Sequence, residues 1–133
     1  KVDLDIIQLH GNENIDDYTI FNKDIISTIH ASENIQSQLS KINLNKHMHL
    51  IDATDNQMRG GSGITFDWNI LKDLDCEKLF IAGGLKPDNI LDLLSRYTPK
   101  CVDVSSGIER KVGYKDHKIM SDFVETIRTY YEK

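Results

Sequence analysis

Residues 78–97 read Lys78-Leu79-Phe80-Ile81-Ala82-Gly83-Gly84-Leu85-Lys86-Pro87-Asp88-Asn89-Ile90-Leu91-Asp92-Leu93-Leu94-Ser95-Arg96-Tyr97. An apolar run of strand length, Lys78–Ala82, meets a glycine pair. Pro87 then suits a first helical turn, and Ile90, Leu94 and Tyr97 follow at helical spacing. This is one βα unit, and the rest of the chain repeats it. Four more apolar runs rich in Ile, Leu and Val predict buried parallel strands at Leu4–Leu9, Ile25–Ile29, Met48–Ile51 and Cys101–Ser105. Helical spacing separates them: Ile35, Leu39 and Ile42 after a Ser32 cap, and Trp68, Leu71 and Leu74 after Thr65. The last segment carries one continuous stripe of Ile119, Met120, Phe123, Val124, Ile127, Tyr130 and Tyr131, and Glu13–Phe21 is a weaker helix candidate.

Regular βα alternation predicts an α/β fold of parallel βα units with helical crossovers. Two architectures satisfy it: an open, flavodoxin-like parallel sheet, or part of a TIM (β/α)8 barrel holding about five units. Length alone favours the open sheet, since eight units in 133 residues leave about 17 each, too few for a strand, a helix and two loops. No Pro/Gly-rich linker interrupts the chain, so residues 1–133 read as a single domain. The chain opens on Lys1 and runs almost at once into a strand, so a segment upstream of it is expected.

Composition narrows the function classes. The net charge of −5 offers no basic stripe to phosphates, which argues against a nucleic-acid partner. No apolar run approaches the ~20 residues that span a bilayer, so no membrane partner is expected. Cys76 and Cys101 form no metal-spacing motif and read as reduced thiols of a cytoplasmic protein. A dinucleotide-binding G-x-G-x-x-G and a Walker A loop are both absent.

Polar residues gather at the C-terminal ends of the predicted strands, where parallel α/β proteins bind ligands. The first ends in Gln8, His10 and Gly11, the second in His30, the third in Asp52, the fourth in Gly83 and Gly84, and the fifth in Ser105, Ser106 and Gly107. The glycine pair permits close backbone approach to a ligand. Ser105–Gly107 can open a short helix whose N–H groups face an anion, so the last two loops suggest a phosphate site. Strand alternation puts Cys101, Asp103 and Ser105 on one face, with Asp103 turned inward and in need of partners. Singly, each of these residues has a duller reading as cap, turn or structural strut.

These residues carry a resemblance. The stretches Ile7-Gln8-Leu9-His10-Gly11-Asn12-Glu13, Leu50-Ile51-Asp52, Gly60-Gly61-Ser62-Gly63 through Thr65-Phe66-Asp67-Trp68, Ala82-Gly83-Gly84-Leu85-Lys86-Pro87-Asp88-Asn89-Ile90 and Val102-Asp103-Val104-Ser105-Ser106-Gly107-Ile108-Glu109 follow in order, with Gly113 and Lys115-Asp116 behind them. In that order and spacing the sequence resembles the phosphoribosylanthranilate isomerase family. The resemblance implies that the five strands are the fourth to eighth of a TIM barrel. It implies an Amadori rearrangement of a phosphosugar in tryptophan biosynthesis, with no metal and no organic cofactor. Asp52 would be the general acid, with a pKa expected to be raised by partial desolvation. The backbone around Gly83, Gly84, Ser106 and Gly107 would hold the phosphate, and His10, Asp103, Ser105 and the loop at Gly60 and Gly61 would line the rest.

The family's general base is a cysteine after the first barrel strand, and an arginine after the second strand contacts substrate. Neither region is among these residues, Cys76 and Cys101 are expected at the wrong end of the sheet, and the chain alone is expected to be inactive. His10 is the one local candidate for a makeshift base. The resemblance gives His30 no role. Two other readings stand beside the enzyme: a non-catalytic phosphosugar-binding module, and a half-barrel whose open edges take an N-terminal segment or a second copy.

Overall fold

The computed structural model describes residues 2–31, 35–40, 44, 46–52 and 68–132. Five strands, β1 (Ile6–Leu9), β2 (Asp24–His30), β3 (Met48–Asp52), β4 (Leu79–Ala82) and β5 (Cys101–Val102), form one sheet in the order β1-β2-β3-β4-β5. Every neighbouring pair is parallel. This order decides between the two architectures. A flavodoxin-like sheet reverses direction at a switch point, 2-1-3-4-5, whereas a barrel wall adds strands consecutively. The open flavodoxin-like alternative is therefore set aside, and the sheet is an unclosed arc of barrel type.

Register explains the two faces. Ile29 pairs with Ile51 and Ile51 with Ile81, so their side chains share one face. That face packs under α1 (Ile35–Leu39), a 3₁₀ turn at Trp68–Leu71, α2 (Ile90–Arg96) and α3 (His117–Tyr131). Ile35, Leu71, Ile90, Leu93 and Phe123 close over it. On the opposite face Ile26, Leu50 and Ala82 form a second, smaller cluster with Met48 and Phe80 against it. Asp116 starts α3, its carboxylate accepting from the Lys118 and Ile119 N–H groups. Tyr130 ties α3 to α2 by donating to the Leu94 carbonyl at 2.7 Å. A two-stranded antiparallel hairpin, β6 (Glu109–Lys111) with β7 (Tyr114–Lys115), links the sheet to α3.

Several expectations need correcting. The first strand begins at Ile6, not Leu4, and the last ends at Val102, not Ser105. Beyond Val102 a single backbone bond among the described residues, Asp103 N–H to the Ile81 carbonyl at 2.9 Å, prolongs the β4–β5 pairing. A strand needs neighbours to stay extended, and β5 has one. Asp103 is consequently exposed, not a buried strut. The Glu13–Phe21 candidate is a 3₁₀ helix, Ile15–Phe21, with no buried residue. Leu74 lies beyond the 3₁₀ turn that ends at Leu71, so no helix carries Trp68, Leu71 and Leu74 together. Of the α3 stripe only Phe123 is buried, while Met120, Val124, Tyr130 and Tyr131 are exposed. Ser32, Ile42 and Thr65 lie outside the described residues. Among the described residues no helix is long and apolar enough to cross a membrane.

Candidate active site

The C-terminal strand ends meet in a cleft of about 170 Å³ lined by His10, Asp52, Gly83, Gly84, Asp103, Ser105, Ser106 and Gly107. Leu50, Ala82 and Leu85 supply its apolar wall. Sites that enclose a drug-sized ligand run to ~300–1,000 Å³. At that size the cleft has room for only part of such a ligand. Gly60 and Gly61 lie outside the described residues.

One side of the cleft is formed by two glycine-containing loops. Gly83 and Gly84 both adopt positive φ, 87° and 66°, which turns the chain sharply off β4. Asn89, itself buried, fastens that turn: it accepts from the Lys86 N–H at 2.9 Å and donates to the Gly84 carbonyl at 2.9 Å. The second loop lies directly against the first, since a Cβ on Gly107 would come within 1.7 Å of the Leu85 carbonyl oxygen. Gly107 is therefore a close-approach glycine, and it is the middle residue of the short 3₁₀ helix Ser106–Ile108. Lys115 holds this loop from behind, its Nζ donating to the Ser105 carbonyl at 2.8 Å and to Ser105 Oγ at 3.2 Å. The Glu109 carboxylate completes the clamp at 2.8 Å from the same Nζ. That hydrogen bond, then one from the Gly113 N–H, holds the Glu109 carboxyl below its usual range.

The other side carries the titratable groups. Asp52 ends β3, is only 14 % exposed, and has Oδ2 3.4 Å from His10 Nε2. His30 ends β2 in register with Asp52, and its ring meets that of His10 edge-on, with centroids 5.3 Å apart. His30 Nδ1 is buried without a hydrogen-bond partner. The sequence offered His10, His30 and Asp52 as strand-end residues, but that His30 touches His10 follows only from the register of β1 on β2. Asn89 and Lys115 were missed as well. The available signals were an Asn three residues after Lys86, as turns often require, and the Lys115-Asp116 pair after Gly113.

Both cysteines are free. Burial pushes the Cys76 thiol up, with help from Asp75, and partial burial with Asp103 nearby does the same to Cys101. Cys101 opens β5 and Cys76 precedes β4, so both lie at the end of the sheet away from the cleft.

Residues 1–126 match the family model for N-(5'-phosphoribosyl)anthranilate (PRA) isomerase. The chain belongs to the PRA isomerase family. It is 38 % identical over 128 residues to the N-(5'-phosphoribosyl)anthranilate isomerase of Legionella pneumophila (strain Corby), covering 96 % of this chain and 62 % of that protein. Among solved structures it superposes on the phosphoribosyl anthranilate isomerase of Thermotoga maritima with a TM-score of 0.76 and 30 % identity, over 95 % of this chain and 62 % of that one. Another, in complex with reduced 1-(o-carboxyphenylamino)-1-deoxyribulose 5-phosphate, gives a TM-score of 0.72 and 27 % identity, over 95 % of this chain and 60 % of that one. The chain thus spans about three-fifths of the length of the PRA isomerases it matches.

Proposed function

We propose that these residues are the acid and phosphate-binding part of a PRA isomerase, converting N-(5'-phosphoribosyl)anthranilate to carboxyphenylamino-deoxyribulose phosphate in tryptophan biosynthesis. The observation that carries this is one of placement. Asp52, the most enclosed carboxylate at the strand tips, lines a cleft whose other wall is two abutting glycine-containing loops. A phosphosugar seated with its phosphate on the N–H groups around Gly83, Gly84, Ser106 and Gly107 presents its furanose ring to Asp52. Asp52 protonates the ring oxygen and the ring C–O bond breaks. A base then takes the proton from the adjacent carbon to leave an enolamine, and that species tautomerises to the aminoketose. The proton count balances, and no oxidant or reductant is used.

By resemblance to the family, the base would be a cysteine after the first barrel strand and the arginine contact would come from the loop after the second, both ahead of β1. Cys76 and Cys101 are poor stand-ins, because they lie at the far end of the sheet and their raised pKa values keep them as thiols. The outer edges of β1 and β5 are unpaired among the described residues, and the residues that follow those strands, His10 and Asp103, line the cleft. We assign them to the first three strands of the barrel, which close the ring when they pair there. A second copy of the chain is the competing occupant. The solved complex with a reduced deoxyribulose 5-phosphate supports the substrate class.

The test is Asp52→Asn in the protein carrying all eight strands. The value of kcat should fall roughly a hundredfold or more, the usual weight of general acid–base catalysis. KM should move little, because the phosphate contacts remain. Near-normal kcat would reduce Asp52 to a strand-end cap.

A further inference from the structure

We propose that His10, His30 and Asp52 form a binding site for one divalent transition-metal ion, zinc fitting best, and that an ion bound there switches the acid off. The family resemblance led to no metal being expected, and the three residues, 20 and 22 positions apart, match no ligand motif. The fold brings them together. They stand at the tips of β1, β2 and β3, three consecutive strands, and the register of β2 on β3 turns His30 and Asp52 to the same face. One ligand atom from each lies within 4.8 Å of the other two.

The donor set is chemically apt. Two imidazoles and a carboxylate suit zinc and its neighbours, and three protein ligands leave a fourth position for water or a substrate oxygen. Metal–ligand bonds of about 2.0–2.1 Å put tetrahedral ligand atoms roughly 3.3–3.4 Å apart. His10 Nε2 and Asp52 Oδ2, at 3.4 Å, already have that spacing. The third ligand must close in by roughly 1.5 Å, which rotation of an imidazole can supply while the strands stay fixed. His30 also carries a buried ring nitrogen with no hydrogen-bond partner, and coordination is one way to satisfy such a lone pair.

The consequence for catalysis rests on the isomerase reading. A carboxylate bound to a cation cannot hold the proton it must deliver to the ring oxygen, so the metal should inhibit reversibly. Binding itself does not depend on that reading, and the two are measured separately. Full-length protein stripped of metal is titrated with Zn²⁺ against a chromophoric chelator, and with Co²⁺ to record its visible spectrum. One ion per chain and an intense tetrahedral Co²⁺ band are expected. His30→Gln should weaken Zn²⁺ at least tenfold, since even a ligand's supporting contacts usually carry ten- to hundredfold. His10→Gln should do the same, while the exposed His117→Gln should change nothing; thermal unfolding of each variant checks that it folds. Zinc that binds His30→Gln and His10→Gln as tightly as the parent, or fails to bind the parent at all, overturns the site. Zinc should also inhibit turnover, with the half-inhibiting concentration rising in His30→Gln by the factor seen in binding. Binding that follows His30 yet leaves turnover untouched overturns the switch.

Discussion

The middle of the sheet and its margins are written in the same residues and fare differently. Ile51 on β3 and Ile81 on β4 are 0 % exposed, closed in by strands on both sides and by helices above. Ile6 on β1 is 42 % exposed, and Val2 and Leu4 just before it are more so. At the other margin β5 keeps two residues, and the outer side of α3 shows Val124 and Tyr131 to solvent. Parallel strands are stable when both faces and both edges are covered. The contrast teaches that apolar β-branched sequence proposes a strand and its neighbours make it one. Margins that keep core-like sequence while exposed are the surfaces on which the proposed closing strands would dock.

The largest effect should come from supplying that element. The 133-residue chain should show kcat/KM at least ~10⁴-fold below the same chain joined to the first three βα units of a family member. Loss of a placed base alone removes ~10²–10⁴-fold, and loss of the barrel wall adds to it. The assay follows consumption of phosphoribosylanthranilate by its fluorescence. Activity of the shorter chain within about tenfold of the longer one would mean that the margins are finished surfaces and that the base is local, with His10 the candidate.

Stability should divide along the same line. Ile81→Ala deletes wholly enclosed side-chain atoms and should cost ~2–5 kcal/mol. Ile6→Ala should cost less than ~1 kcal/mol in this chain, because much of that side chain is already in water. Urea unfolding of both measures the gap. The sharper version repeats Ile6→Ala in the extended protein, where its cost should climb towards that of Ile81→Ala. An equal cost in both proteins would show that nothing docks on β1.

The same contrast explains what the sequence could disclose. Starts and ends of β2, β3 and β4 fall within one residue of expectation, since a strand flanked on both sides extends as far as its apolar run. Leu4 and Ser105 were overreached because periodicity carries no information about whether a neighbour exists. The cleft was legible from the polar residues at strand tips, as parallel topology forces those tips to one end. Asn89 and Lys115 were not, since each acts by fastening a loop to backbone. The meeting of His10 and His30 depends on register, a property of strand pairs that no single strand reports.

The smallest effect concerns a margin held by charge instead of burial. Beyond β5 the chain leaves the sheet through the β6–β7 hairpin, where Glu109 accepts from Lys115 Nζ at 2.8 Å and from the Gly113 N–H at 3.2 Å. The Lys115 hydrogen bond, the larger cause, and the Gly113 N–H lower the Glu109 carboxyl from its ordinary 4.5. A depressed carboxylate stabilises the fold above its unfolded pKa, and that stabilisation is lost as pH falls through the folded value. Glu109→Gln should therefore unfold at lower urea than the parent near neutral pH. The difference should begin to close below about pH 4.5 and vanish once the folded Glu109 is protonated. Other carboxylates titrate in the same range, so the quantity to follow is the gap between the two proteins. A surface pair of this kind contributes little beside an Ile81-sized loss, and raising salt should shrink it further. A gap that persists unchanged to about pH 3 would mean that the carboxamide disturbs the hairpin by shape. The clamp on Ser105 would then owe nothing to charge, and this margin would be held as the middle of the sheet is, by packing.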